Sequence, residues 1–349
     1  MKTTRRNLLK SCFGLSALGA LPNLWLTQTK AGYLPADIAR RLARGQGLSG
    51  LTKHDLATPV LLLDLDIFEA NLEKMSRHAK AASLNLRPHA KTHKCPEVAK
   101  RQIHAGALGV CVATLREAEA LAAGGVKGLL ITSELVGRIK VERLIKLTKR
   151  HPDTMSVVDN AAQAQQLSDA AVAAKIRLNV MIDVDPGSRR TGIQPGDDAV
   201  KLAEKIVQLP RLNLRGIHSY SGASSHVPGF EARRTHSEKA MAPAVETFAR
   251  MKRAGLPVEI LSGGSTGTYN IDTAIKGVTE LQVGSYVFMD VDYGKIGGQG
   301  GPTYDDFGQA LTVLATVISQ NQPGRATVDA GFKAFATDRA FGPELKGVT

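Results

Sequence analysis

The sequence predicts a parallel α/β fold, a (β/α)8 barrel of the TIM type followed by a small C-terminal β-domain. Three observations carry this prediction. Nine short β-rich apolar runs alternate with amphipathic stretches of helical period, two later segments alternate like antiparallel strands, and a glycine-rich stretch at residues 297–301 separates the two patterns. Regular alternation of strands and helices is typical of a parallel sheet, because each crossover helix returns the chain to the same edge.

The nine strand candidates supply one strand more than a barrel needs. They are residues 60–65, 84–87, 109–113, 129–132, 155–158, 178–182, 214–218, 258–262 and 281–283. The eight from residue 84 onward would close a (β/α)8 barrel over about 200 residues. Residues 60–65 are then surplus, and we expect them to join the second domain, whose own strands are predicted at residues 310–319 and 325–336.

Capping residues mark the helices between these runs. Asp66 and Asn160 occupy positions typical of N-caps, and Gly255 with Pro257 follows the long helix predicted over residues 230–254. The predicted organisation is therefore a leader at 1–31, a polar lead-in without clear period at 32–57, a barrel at 58–297 and the start of a β-domain at 298–349.

The first 31 residues have the order of charge, apolarity and small residue that is typical of a signal peptide. The paired Arg5 and Arg6 precede an uncharged stretch over residues 11–28, and Ala31 follows. The arginine pair predicts twin-arginine export and a periplasmic location. An uncleaved membrane anchor is the alternative, because the stretch is about long enough to span a bilayer, but Pro22 interrupts it.

Composition indicates a folded, mildly basic protein. With 43% hydrophobic and 22% charged residues the chain is neither disordered nor collagen-like. Its formal net charge is +13, but the leader contributes five of these charges and no acid, which leaves +8 for the rest. Only 5% of residues are aromatic and no basic run interleaves with them, so we expect no nucleic-acid partner. Three cysteines, one of them in the leader, exclude a disulfide framework.

Small residues follow the last two predicted barrel strands. Residues 258–262 lead into Gly263–Gly264–Ser265–Thr266–Gly267–Thr268, and residues 281–283 lead into Gly284–Ser285–Tyr286. In a barrel the functional loops follow the carboxyl ends of the strands, and phosphate commonly binds after strands seven and eight. Backbone N–H groups of small residues can approach an anion closely, so the two loops predict a phosphate site.

A basic segment, Arg87–Pro88–His89–Ala90–Lys91–Thr92–His93–Lys94, follows the first barrel strand. A lysine on this face, across from a phosphate site, can hold pyridoxal 5′-phosphate as a Schiff base, because the amine reaches the aldehyde while the phosphate anchors the other end. The residues themselves leave Lys91 and Lys94 as candidates. A solvated basic loop, or a barrel that binds another anion, is the alternative interpretation.

Four segments together resemble the metal-activated D-threonine aldolase and D-serine dehydratase-like family, a branch of the alanine racemase (fold type III) pyridoxal phosphate enzymes. They are residues 87–94, 190–192, Tyr220 with His226, and 263–269. The resemblance extends from about residue 58 to the C-terminus. It implies a barrel of the alanine racemase N-terminal type, a C-terminal β-domain and a possible homodimer. It also implies a small-molecule D-3-hydroxy amino acid as the ligand.

The resemblance also assigns roles to single residues. It implies that Lys91 forms the Schiff base, that Tyr220 lies near the pyridine nitrogen and that His226 is the general base, since an imidazole exchanges protons near neutral pH. The cofactor-binding set that it implies is Lys91, His89, Arg190, Tyr220, Gly264, Ser265, Thr266, Gly284 and Ser285. The resemblance thus selects Lys91, where spacing alone left two lysines.

The resemblance further implies a divalent metal ion, Mn²⁺, Zn²⁺ or Mg²⁺. In the family a His-x-Asp or His-x-Cys pair holds this ion, and no histidine follows His236 in this sequence. We therefore assign no metal ligand among residues 1–349 and expect the family's ligands beyond Thr349, in a chain that is either a fragment or naturally short.

The expected function is that of a pyridoxal phosphate-dependent lyase. The leading hypothesis is retro-aldol cleavage of D-3-hydroxy amino acids to glycine and an aldehyde. Elimination by a D-serine dehydratase-like reaction, with Lys91 removing the α-proton, is the close alternative. A pyridoxal phosphate-binding protein without turnover is an alternative of a different class. It is favoured because no metal ligand is assigned in this sequence.

Overall fold

The computed structural model of the protein describes residues 33–331, 333–335 and 343–344. The predicted leader at residues 1–31 lies outside this range. The described chain separates into two compact units, one formed by Glu69–Gly308 and the other by the described residues of Met1–Phe68 and Gln309–Thr349. Within the described residues, no helix has both the length and the apolar character needed to cross a bilayer.

Eight parallel strands form the barrel of the larger unit, as the sequence predicts. The strands are β2 (Asn85–Leu86), β3 (Val110–Val112), β4 (Leu129–Ile131), β5 (Met155–Val158), β6 (Leu178–Asp183), β7 (Leu212–Ser219), β8 (Ile260–Gly263) and β9 (Glu280–Leu281). Their order in the sheet is β2-β9-β8-β7-β6-β5-β4-β3. A parallel bridge between His89 and Cys111 joins β2 to β3, so the sheet closes on itself.

Helices connect the strands of this unit and cover the sheet. They are α2 (Leu65–Ala81), which begins in the smaller unit, α3 (Pro96–His104), α4 (Leu115–Ala123), α5 (Arg138–Arg150), α6 (Ala161–Ala174), α7 (Asp197–Gln208), α8 (Phe230–Arg253) and the short α9 (Tyr269–Asp272) and α10 (Val291–Gly294). Asn160 caps α6 as predicted, because its side chain accepts from the Gln163 N–H at 2.8 Å. At α2 the predicted cap is wrong by two residues, since Asp64 accepts from the N–H groups of Asp66 and Ile67.

Apolar side chains fill the barrel. The fully buried cluster at its centre consists of Cys111, Leu130, Met155, Val157 and Met181, contributed by four neighbouring strands. A buried ion pair between Arg87 and Glu280 lies where β2 pairs with β9, with Nη2 and Oε2 3.0 Å apart. Such a pair requires good geometry to offset desolvation, and the Arg87 Nε contacts both carboxylate oxygens at 3.1 Å.

The smaller unit contains the remaining strands. Strand β1 (Val60–Leu63) pairs antiparallel with β10 (Leu311–Leu314), and β11 (Val317–Ser319) pairs with β12 (Thr327–Val328). The surplus run at residues 60–65 is therefore a strand outside the barrel. The predicted segment 310–319 is divided into two strands rather than one.

Two boundaries differ from the sequence interpretation. The lead-in contains a helix, α1 (Pro35–Ala43), because Ile38 and Leu42 lie one turn apart and are both buried. The barrel unit ends after Gly308 and not after residue 297. The glycine-rich stretch folds back within that unit, where the Gly298 N–H contacts the carbonyls of Gly301 and Thr303.

Candidate active site

The candidate site is a cavity of about 290 Å³ at the carboxyl ends of the barrel strands. Four of the predicted residues line it, His89, Lys91, Arg190 and Tyr220. The other lining residues are Ala113, Thr132, Ser133, Glu134, Thr191, His218 and Gln282. The segment after β2 and the strands β6 and β7 on the opposite side of the barrel thus contribute side chains to one cavity. In barrels of this type the active site lies at the carboxyl ends of the strands.

Lys91 provides a nucleophilic amine to the cavity. It belongs to the 3₁₀ turn Ala90–Thr92, which begins directly after His89. Although the Lys91 side chain is exposed, desolvation by the cavity walls lowers the pKa of its amine, and the charge of Arg190 lowers it further. A lowered pKa increases the neutral fraction that can attack a carbonyl. Lys94, the other candidate, is not among the residues that line the cavity.

Tyr220 forms one wall opposite this amine. The Lys91 Nζ lies 5.0 Å from the centroid of the Tyr220 ring. Burial raises the pKa of the Tyr220 phenol, and Arg190 opposes this effect without cancelling it. The phenol is therefore neutral at physiological pH, and its ring offers a flat surface against which a planar heterocycle can pack.

His89 contributes a neutral ring whose two nitrogens are both used within the protein. Its Nδ1 accepts from the Lys91 N–H at 3.3 Å, so the proton lies on Nε2, which is 3.2 Å from Thr132 Oγ1. Thr132 in turn donates to the Val112 carbonyl at 3.1 Å. Burial, and then the charge of Lys91, lower the pKa of His89 well below its usual value. We infer that His89 shapes the cavity and orders the Lys91 turn rather than transferring protons.

Acidic groups lie on the side of the cavity formed by β4, β6 and β7. His218 Nδ1 lies 2.5 Å from Asp183 Oδ1, and Thr191 donates to Asp183 Oδ2 at 2.9 Å. Burial alone would raise the pKa of Asp183, but the hydrogen bond and charge of His218 outweigh it, so this pKa is lowered. Burial and the neighbouring Asp183 raise the pKa of Glu134 to about 7. Glu134 is thus partly protonated at neutral pH.

The loop after β8 combines small residues with hydroxyl groups. Gly264 has a φ of +76°, and a Cβ at this position would lie 2.8 Å from Asp272 Oδ2, so glycine is required. The Ser265 N–H and hydroxyl contact Thr268 Oγ1 at 3.2 and 3.0 Å, which closes the turn. Burial raises the pKa of Asp272, which lies beneath this turn, to about 6.

The loop after β9 lies directly against the loop after β8. The Tyr286 N–H donates to Thr266 Oγ1 at 3.1 Å, and Ser285 begins the same 3₁₀ turn as Tyr286. Gly284 allows a second close approach, because a Cβ there would lie 2.8 Å from Thr92 Oγ1, beside Lys91. The structure therefore brings Gly264, Ser265, Thr266, Gly284 and Ser285 together, as predicted for a phosphate site.

His226 is placed differently from the other predicted residues. It ends the 3₁₀ turn Ala223–His226 after β7 and is not among the residues that line the cavity. Its Nε2 lies 3.4 Å from Asp292 Oδ2, and its ring packs on Tyr293 with centroids 4.5 Å apart. Tyr293 in turn contacts Ser225 Oγ at 2.6 Å, so a carboxylate and an aromatic ring orient the imidazole.

These residues fit pyridoxal phosphate. The amine of lowered pKa suits the aldehyde, the ring of Tyr220 suits a planar pyridine, and the hydroxyl and N–H donors of the two glycine-containing loops suit a phosphate. Gln282 Oε1, on the cavity wall, is buried and among the described residues has no hydrogen-bond partner, so it can accept a bond from a ligand.

The described residues do not offer a comparable site for a metal ion. Across residues 33–331 and the few described residues beyond, no group of three histidine, cysteine, aspartate or glutamate side chains is arranged to hold one. We therefore derive no step of the reaction through a metal.

Sequence reasoning missed four residues of the site, Glu134, Asp183, His218 and Gln282. A signal for two of them was present. Asp183 ends strand β6 directly after the apolar residues 180–182, and His218 lies near the end of β7. An ionisable residue at the carboxyl end of a barrel strand is typical of a functional site. Glu134 follows β4 in a polar segment without a distinguishing pattern, and Gln282 lies between Leu281 and Val283 within a run that is predicted only as a strand.

Two known families match this chain, and the boundary between the two matches lies close to the boundary between the two structural units. Residues 63–292 match the family described as alanine racemase, N-terminal domain, and residues 310–348 match a putative serine dehydratase domain. The first match alone covers more than half of the chain.

Individual relatives extend over most of the chain. The sequence is 37% identical over 294 residues to a 3-hydroxy-D-aspartate aldolase of Paracoccus denitrificans (strain Pd 1222), which covers 83% of this chain and 76% of the relative. It is 33% identical over 286 residues to a D-threo-3-hydroxyaspartate dehydratase of Delftia sp. (strain HT23), covering 81% and 74%. The crystal structure of a D-threonine aldolase from Filomicrobium marinum superposes with a TM-score of 0.78 at 39% identity, covering 82% and 76%.

Proposed function

Since this chain belongs to the alanine racemase N-terminal domain family, and its relatives are aldolases and dehydratases of D-3-hydroxy amino acids, we propose that it is a pyridoxal phosphate-dependent lyase. The proposed reaction is retro-aldol cleavage of a D-3-hydroxy amino acid to glycine and an aldehyde. The observation that carries the proposal is the position of Lys91, whose amine of lowered pKa faces the Tyr220 ring in a cavity beside two glycine-containing loops.

The chain's own residues divide the work of binding. Lys91 would hold the cofactor at its aldehyde, and Ser265, Thr266 and Ser285 would hold its phosphate from the two loops. When bound, pyridoxal phosphate supplies an electron sink for the charge that develops at the substrate's α-carbon. Tyr220, kept neutral by burial, would offer its ring to the pyridine, and Arg190 would contribute positive charge in the same cavity.

His226 is the proposed base for the aldol cleavage. A base must remove the proton of the β-hydroxyl as the Cα–Cβ bond breaks. Asp292, 3.4 Å from His226 Nε2, orients the imidazole and stabilises the imidazolium that forms when the ring takes this proton. The ring lies on the loop after β7, at the same edge of the barrel as Tyr220.

The attachment of the cofactor is tested by reconstitution. Protein incubated with pyridoxal phosphate should gain an absorbance band near the ultraviolet–visible boundary, and borohydride should fix the cofactor to the peptide containing Lys91. Lys91→Ala should abolish the band, and Lys94→Ala, three residues along the same segment, should keep it. Loss of the band in the second variant alone, or in neither, would contradict the assignment.

The reaction is tested with D-threonine. Glycine with acetaldehyde is the expected product, whereas 2-oxobutyrate with ammonia would indicate dehydration, which the similarity to a D-threo-3-hydroxyaspartate dehydratase makes the specific alternative. His226→Gln should reduce glycine release without removing the cofactor's absorbance band. Cofactor binding with neither product, across a set of D-3-hydroxy amino acids, would instead indicate a binding protein without turnover.

The location and assembly of the protein are further parts of the proposal. The paired Arg5 and Arg6 before an uncharged stretch support export through the twin-arginine route to the periplasm. A homodimer is proposed from the family resemblance, and light scattering of the reconstituted protein tests it.

A further inference from the structure

Arg233 in helix α8 is the largest fully buried side chain of the described residues. Its guanidinium donates four hydrogen bonds, and all four acceptors are backbone carbonyl oxygens. They are Gly267 from Nε at 2.7 Å, Val227 and Ile296 from Nη1 at 2.9 and 3.0 Å, and Gly297 from Nη2 at 2.7 Å. A buried guanidinium is costly unless its donors are satisfied, and here carbonyl dipoles satisfy them.

The four carbonyls belong to three segments, which the Arg233 guanidinium joins. Gly267 lies in the loop after β8, Val227 follows His226 directly, and Ile296 with Gly297 begins the glycine-rich stretch. The contact between the first two segments is close, since a Cβ on Gly267 would lie 2.0 Å from the Ser225 carbonyl oxygen. Only the planar fork of arginine can donate to all three segments at once.

Tyr304 fixes the neighbouring carbonyl of the same loop. Its hydroxyl donates to the Thr266 carbonyl at 2.5 Å, and its ring lies 5.7 Å from the Arg233 guanidinium carbon. Because a trans peptide is planar, its C=O and N–H point in opposite directions. Holding the Thr266 carbonyl towards Tyr304 therefore directs the Gly267 N–H to the other side of the loop. Holding the Gly267 carbonyl towards Arg233 orients the next peptide, whose Thr268 N–H closes the turn on the Ser265 carbonyl at 3.2 Å.

We propose that Arg233 is a positioning residue for binding of the cofactor's phosphate. Arg233 holds the loop after β8 in the conformation that binds the anion. The inference rests on the proposed function, because it takes this loop to be the phosphate site. Arg233 does not contact the cofactor in this account. It acts through the Gly267 carbonyl and so holds the closed turn of residues 265–268 that carries the loop's donors, and a carboxylate could not replace it.

The test separates phosphate binding from general stability by comparing two ligands. Pyridoxal phosphate and pyridoxal both react with Lys91, but only the first has a phosphate, so the ratio of their dissociation constants reports the phosphate loop alone. Absorbance titration gives both constants. The ratio is the dissociation constant of pyridoxal divided by that of pyridoxal phosphate. We expect Arg233→Met and Arg233→Lys to lower this ratio by about tenfold, the effect of losing one hydrogen bond to a charged group.

Arg234 provides a matched control. It is the next residue of α8, half exposed, and pairs with Glu231 at 2.5 Å. Arg234→Met and Arg234→Lys make the same chemical change on the same helix and should leave the ratio unchanged. Circular dichroism establishes that each variant is folded. If Arg233→Met does not fold, Arg233→Lys carries the test, and failure of both to fold would assign Arg233 to general stability and overturn the proposal.

The outcomes distinguish this inference from the proposed function. Equal affinity of the unaltered protein for the two ligands would contradict the phosphate site itself. A strong preference for pyridoxal phosphate that persists in a folded Arg233→Lys variant would overturn the role of Arg233 and leave the proposed function standing. A parallel loss of affinity for both ligands, with the ratio constant, would likewise show that Arg233 stabilises the fold and not the loop.

Discussion

His218 Nδ1 lies 2.5 Å from Asp183 Oδ1, although the two residues are 35 positions apart in the sequence. They are register partners at the carboxyl ends of the adjacent parallel strands β6 and β7. Both side chains are almost fully buried, at 3% and 6% exposure, so the pair is shielded from solvent. A buried carboxylate with a lowered pKa therefore lies beside a cavity-lining imidazole.

Asp183→Asn should destabilise the protein, because it leaves the buried His218 without its charged partner. We expect the free energy of unfolding at pH 7 to fall by about 1–3 kcal/mol, as for a lost buried hydrogen bond to a charged group. Urea unfolding measures this value. Asp169→Asn, which changes an exposed aspartate of α6 that accepts from Gln165, should alter it by less than about 0.5 kcal/mol.

The pH dependence of the same variant has a definite sign. The folded pKa of Asp183 lies below its usual value of 3.8, so its stabilising contribution is complete above pH 3.8 and is lost as the pH falls through the folded value. Asp183→Asn should lack this part of the acid-induced loss. Identical slopes for both proteins below pH 3.8 would contradict the lowered pKa.

Glu134 should affect the pH dependence of the unfolding free energy with the opposite sign to Asp183, and Glu134→Gln tests this. The folded pKa is about 7 against a usual 4.5, so the folded state binds this proton more tightly and the contribution to stability falls as the pH rises from 4.5 to about 7. Glu134→Gln should flatten the slope of unfolding free energy in that window. Glu142→Gln, at an exposed glutamate paired with Arg138, should keep the slope of the unaltered protein.

Thr266→Val should weaken binding of pyridoxal phosphate by about 1.5–3 kcal/mol, the value of a hydrogen bond to a charged group. The Thr266 hydroxyl accepts from the Tyr286 N–H, and a hydroxyl that accepts keeps its own O–H to donate to a phosphate. Titration with the cofactor measures the change. Thr148→Val, at a buried threonine of α5, is the isosteric control, and similar losses in both variants would make the loop an ordinary turn.

Replacing Arg5 and Arg6 by lysine should retain the precursor in the cytoplasm, because the twin-arginine receptor reads the arginine pair and not charge alone. Cell fractionation followed by immunoblotting measures the distribution. The unaltered protein should be processed in a strain with the translocase and retained in one without it. Normal processing in the second strain would point to the general secretory route.

Local patterns in the sequence predict the barrel, and with the family resemblance they identify four of the eleven residues that line the cavity, His89, Lys91, Arg190 and Tyr220. Alternating apolar runs and amphipathic stretches predict the barrel because each period is a local property of the backbone, and Asn160 caps its helix through a contact three residues away. Small residues after the last two strands predict the phosphate loops for the same reason. Family resemblance then selected Lys91 from two lysines, and the cavity contains that lysine.

Contacts that join distant segments follow from strand register and helix packing. Asp183 meets His218 because the register of two parallel strands places them side by side, and Arg233 meets the loop at Gly267 only once α8 packs against the barrel. Neither contact has a local period or a capping pattern that a sequence displays. Register and packing depend on the whole folded chain, since they fix which side chains lie together. Desolvation and the neighbouring groups in turn set the pKa values of Lys91, Asp183 and Glu134.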